Sequence, residues 1–158
     1  MSLATEMAAL FRRDLTRLVQ EIGAFPDGSI LWQGAPGISN SAGNLALHLE
    51  GNLREYIGRQ LGGVAYQRQR DAEFAGTGLP AKVLAERIEG VRELVVGVIS
   101  GLSIAQLEAV YPEDVLGVPL SVQQFLISLH GHLNYHLGQI DYLRRFLTQG
   151  APIDFAGL

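Results

Sequence analysis

Val122, Leu126, Leu129, Leu133, His136, Ile140, Leu143 and Leu147 follow one another at alternating steps of four and three. That spacing lines these side chains along one face of a long helix, and a seam of this length has to be buried against other helices. The same stepping recurs in Leu84, Ile88, Val91, Val95, Val98 and Leu102, and Met7, Phe11, Leu15, Leu18 and Ile22 also recur at steps of four and three. Leu45, Leu49, Leu53 and Tyr56 line one side of a further segment, with His48 and Asn52 among them. No segment alternates convincingly at the two-residue period of a strand. The chain is therefore expected to be all-α: a four-helix bundle with helices over 4–22, 41–61, 80–100 and 121–149.

The punctuation agrees. Asn40 and Ser41 can cap the second helix, Ser121 and Gln124 form a capping-box pair, and Ser103 can start a short extra helix to residue 110. Gly62 and Gly63 end the second helix, and Pro80 suits a first turn. The connection from Gly23 to Asn40 is rich in Gly and Pro, and at roughly 18 residues it exceeds the usual helix–helix link. It reads as a crossover or as a loop over a site, pinned to the bundle by Trp32. Residues 65–78 read as a polar stretch without period. Apolar residues make up 47% of 158, enough for one core, so residues 1–158 are expected to form a single domain.

The net charge of −4 argues against a nucleic-acid partner, which calls for a basic face. Arg54, Arg59, Arg68 and Arg70 cluster locally, but Asp71 and Glu73 follow at once, and the group reads as solvated helix surface. With no cysteine there is no disulfide, Cys zinc site or thiol nucleophile. Neither a signal-peptide core nor a membrane-length apolar run is present, so a soluble, cytoplasmic protein is expected. Val96, Ile99, Phe125 and Phe146 fall outside the main seams and read as a second apolar surface, which suggests a homodimer.

The histidines carry the chemistry. His132 and His136, four apart, stack on one helix face, the spacing with which helices present two imidazoles to an ion. His130 stands about 120° around the helix from His136 and about 160° from His132, so it is expected to face elsewhere. His48, inward on another helix, can supply a third ligand and leave coordination positions open for water or substrate. The spacing admits a second reading, in which each imidazole is a packed, hydrogen-bonded core residue. Glu50 points away from the His48 side by about 160°. His48-Leu49-Glu50 lacks the Cys pair of zinc deaminases, and HExxH, GxSxG and phosphate-loop motifs are absent. Gln139, one turn beyond His136, and Asn52, four beyond His48, are candidates to orient a ligand ring.

Two segments, Asn40 to Ile57 around His48 and His132-Leu-Asn-Tyr-His136-Leu-Gly-Gln139-Ile140, resemble the DinB-like superfamily. The resemblance implies that His48, His132 and His136 bind a divalent metal, nickel or zinc, in a bundle wound up-down-down-up that often pairs as a homodimer. It implies a metal-dependent enzyme, a transferase using a low-molecular-weight thiol and an electrophile. The alternative is a non-catalytic metal or small-molecule binding protein. Catalytic and substrate-binding residues are not assigned by it.

Overall fold

The computed structural model describes residues 2–26 and 28–154. The domain reading of 1–158 thus includes Met1, Asp27 and residues 155–158, which lie outside the described residues. The chain is all-α. Its helices are α1 (Leu3–Gly23), α2 (Gly28–Leu31), α3 (Ala42–Leu53), α4 (Arg70–Ala75), α5 (Ala81–Ser100), α6 (Ile104–Glu108) and α7 (Val122–Thr148). A wide π turn, Arg54–Arg59, continues α3. Among the described residues no strand forms, and none of the helices is long and apolar enough to cross a membrane.

Each long helix starts or faces inward as its residues dictate. Ser2, Ser41 and Ser121 cap α1, α3 and α7, each hydroxyl accepting from the backbone N–H three residues on. Ser103 and Gln106 complete a reciprocal capping box on α6. α1 lies along α5, α5 touches α3, α3 faces α7, and α7 returns to α1. Phe11, Leu15, Leu18 and Ile22 of α1 meet Leu84, Ile88, Val91 and Val95 of α5 in one core with Leu49, Leu53, Leu126, Leu133 and Ile140.

The seam of α5 departs from expectation at its end. Ile99 is fully buried, whereas Val98 and Leu102 are only partly so. A straight α-helix drifts about 20° per heptad against a strict seven-residue repeat. After Val95 the inward position therefore falls four residues on. Phe125 is also buried, not surplus: it stacks 4.2 Å from Tyr111, whose hydroxyl donates to the Tyr56 carbonyl. The connection between α6 and α7 closes over it. Of the apolar residues set aside for a dimer surface, Phe146 is exposed and Val96 is partly buried.

The long first connection contains the single turn α2 and is fastened by Trp32. The Trp32 indole lies on α3 where Gly43 has no Cβ; a methyl there would overlap the ring. Its N–H donates to the Leu79 carbonyl at 3.0 Å.

A buried polar cluster ties α1 to α7. Asp14 is fully buried and accepts from Arg13, Arg17, Asn134 and His130, the last at 2.8 Å. Burial alone would raise the Asp14 carboxyl; the bonds from His130, Arg13 and Asn134 outweigh it and hold the group well below the ordinary carboxylate range. A depressed folded-state value means that this stability is present at neutral pH and drains away as pH falls below about 4, where the unfolded carboxylate takes up its proton. Asp14→Ala is expected to remove about 3 kcal/mol of unfolding free energy, because it strands buried donors. Urea titration at pH 7 checks this. An equal loss for the exposed Arg12→Ala would refute it.

Candidate metal centre

His48 sits in the middle of α3, and His132 and His136 sit one turn apart on α7. The packing of α3 on α7 turns their Nε2 atoms toward one point. His132 Nε2 lies 3.2 Å from His48 Nε2 and 3.1 Å from His136 Nε2. The three donor atoms lie within 4.8 Å of one another, a group that can hold a metal ion. His130 is apart from them on Asp14, as its angle around the helix requires.

The outer nitrogens decide what the inner ones can do. His48 Nδ1 lies 3.0 Å from Glu73 Oε2. A carboxylate only accepts, so Nδ1 carries the proton and Nε2 presents a lone pair. His136 Nδ1 donates likewise to the Gln139 side-chain oxygen at 2.7 Å. His132 Nδ1 is buried without a partner. Burial, with the neighbouring imidazoles and Arg68, pushes His132 down to about 4, and burial lowers His48 too, so both are neutral at pH 7. One proton on His132 Nε2 can satisfy only one of two facing lone pairs. A cation satisfies all three. With metal–nitrogen bonds of about 2.0–2.1 Å, tetrahedral donors stand roughly 3.3 Å apart, close to the 3.2 and 3.1 Å by which His132 Nε2 is separated from its two neighbours.

Glu73 was not evident from the sequence. It lies on α4, inside the stretch read as polar and structureless, and is buried. Arg68 grips it with two bonds, Nε to Oε1 at 2.7 Å and Nη2 to Oε2 at 2.8 Å. Burial would raise the Glu73 carboxyl, but Arg68 and His48 pull it below its usual value, so it is ionised. Arg68 is therefore a partly buried clamp, and the reading of its cluster as solvated surface fails for it. α4 is fixed to α3 by Asn44, whose amide donates to the Glu73 and Gly76 carbonyls. Gly51 on α3 makes the approach possible, since a Cβ there would overlap the Glu73 carboxylate. A glycine inside a helical pattern was the one available signal for this contact.

Glu50 faces away from the histidines and pairs with Arg54 and Arg87. Asn52 is 7% exposed and makes no hydrogen bond to His48; its carboxamide oxygen has no partner. Two cavities flank the triad. One of about 700 Å³ is bounded by residues 35–40, Tyr135, His136, Gln139, Tyr142 and Phe146. The long loop therefore does wall the site, through residues 35–40, while Trp32 anchors it from a distance. The other, about 400 Å³, opens beside His48 and His132.

A family model described as "Protein of unknown function (DUF1572)" matches residues 4–153. Among solved structures, a conserved protein from Enterococcus faecalis is similar in fold, with TM-score 0.75 and 14% identity over 95% of this chain and 99% of that one. A DinB-like protein from Bacillus cereus gives 0.67 and 20% identity over 92% and 90%. A DinB-like protein from Bacillus subtilis gives 0.70 and 17% identity over 95% and 96%. No curated protein matches the chain in sequence.

Proposed function

We propose that this chain, which belongs to the DUF1572 family, is a DinB-like metal-dependent enzyme that transfers a low-molecular-weight thiol to an electrophile. The observation that carries the metal is the convergence of three imidazole Nε2 atoms with the outer Nδ1 protons of His48 and His136 already committed. His48, His132 and His136 would hold a divalent ion, nickel or zinc. Such an ion supplies positive charge that lowers the pKa of a thiol or water placed beside it. The chain has no cysteine, so the thiol arrives as a cosubstrate.

The chain's own groups do the arranging. Glu73 fixes the His48 tautomer and ring, and Arg68 keeps Glu73 ionised and in place. Gln139 does the same for His136. Leu45, Tyr135 and Phe146 give the larger cavity apolar walls against which a substrate can pack. The reading also carries a single domain over 1–158, a bundle wound up-down-down-up, a cytoplasmic location and a homodimer. Phe146 and Tyr142, exposed on α7, support the dimer.

The alternative is a non-catalytic metal or small-molecule binding protein, favoured by one observation: the carboxylate nearest the histidines, Glu73, is already spent on His48 and Arg68. Two measurements separate these readings. Elemental analysis of untagged protein is expected to find about one divalent ion per chain. A screen of low-molecular-weight thiols against alkylating electrophiles is expected to show metal-dependent thioether formation. Bound metal with no turnover of any pair would leave the binding protein.

A further inference from the structure

The cavity of about 400 Å³ beside His48 and His132 has a mixed lining. Val115, Leu116, Phe125 and Leu129 supply its apolar part. Asn52 and the exposed Arg70 are among its polar residues. Arg70 lies over the Phe74 ring, 5.8 Å from its centroid, and Phe74 in turn stacks 5.0 Å from His48. The guanidinium is thus one ring away from the metal centre. Among the described residues Arg70 pairs with no carboxylate, whereas Arg68, which also lines the cavity, is neutralised by two bonds to Glu73. Asn52 is buried, and its carboxamide oxygen is without a partner.

We infer that this cavity binds a small apolar carboxylate, its anionic end held by Arg70 and Asn52 and its hydrocarbon body against Phe125, Leu116 and Leu129. A cation already paired would give no net attraction to an anion; Arg70 does. The Asn52 NH2 group can donate to a carboxylate oxygen; its buried, unpartnered oxygen is an acceptor, which the anion does not satisfy. The apolar wall selects against free inorganic anions, which have nothing to bury there. The inference deepens the proposed enzyme by naming the class of its second substrate, and it rests on that reading for its catalytic meaning, though not for binding.

The test is calorimetric titration with benzoate, and with neutral benzamide of the same shape, on metal-loaded protein and on protein stripped by a chelator. Benzoate is expected to bind about tenfold more tightly than benzamide in both forms, with the preference weakening in high salt. Arg70→Gln should erase the preference, and Arg12→Gln, an exposed change elsewhere, should keep it. Asn52→Leu should weaken benzoate more than benzamide. Equal binding of the two compounds, or a benzoate preference that survives Arg70→Gln, overturns the inference. So does binding that disappears with the metal, which would mean ligation by the ion alone and would leave the proposed metal enzyme intact. Arg70-dependent binding in a protein found to hold no metal would instead sink the enzyme and keep this site.

Discussion

Purified without an affinity tag, the His132→Ala protein is expected to carry almost none of the divalent metal bound by the parent chain, and His130→Ala is expected to carry all of it. His132 Nε2 lies 3.2 and 3.1 Å from the other two donors. Removing it leaves one donor on α3 and one on α7, two ligands where three converged. Loss of a supporting group around a metal typically costs about 10–100-fold in affinity, and loss of a direct ligand costs more. His48→Ala and His136→Ala should behave like His132→Ala. His130, spent on Asp14, is the internal control, because its removal perturbs the same helix without touching the donors. Metal content by mass spectrometry, set beside a melting curve for each variant, separates lost ligation from lost folding. Retention of metal by His132→Ala, or equal loss in all four, would overturn the ligand set.

The second large effect comes from a residue with no side chain. Gly51→Ala is expected to lower metal affinity by about 10–100-fold although it removes no polar group. The new methyl would occupy the place of the Glu73 carboxylate. Glu73 would withdraw from His48 Nδ1, and that imidazole would lose both its proton acceptor and its fixed orientation. Glu73→Gln should give a loss of the same order, because an amide retains the shape and gives up the charge that Arg68 and His48 share. The two changes together should cost little more than either, since both break one contact. Metal competition with a chromophoric chelator reads all three. Full additivity would mean that Gly51 acts on the helix and not through Glu73.

What the residues disclosed in advance was the part of the protein governed by local period. The ends of α1, α3, α5 and α7 fall within a residue or a few of where caps and apolar steps placed them, apart from the π turn that completes the second segment. The meeting of His48 with His132 and His136 was legible because all three share inward faces, and the His132 to Ile140 motif pointed the same way. Glu73 was not legible. α4 is a helix of 6 residues in a polar stretch, too short to show a period, and its place is set by Asn44 and by the missing Cβ of Gly51. Arg68 looked like surface for the same reason: its burial is conferred by α4. Phe125 was misjudged because its cover, Tyr111, belongs to a connection without periodic signal.

The π turn at Arg54–Arg59 gives this architecture slack in its length. Gln60 and Gly62 reach back five residues, to Glu55 and Ile57, where an α-helix would reach back four. A chain that gained or lost one residue here could absorb the change as the girth of a single turn. The same event between Ala42 and His48 would swing every later side chain by about 100° and carry the imidazole off its mark. A one-residue change in length is therefore expected to be tolerated on the far side of His48 and to be disruptive in the stretch ahead of it.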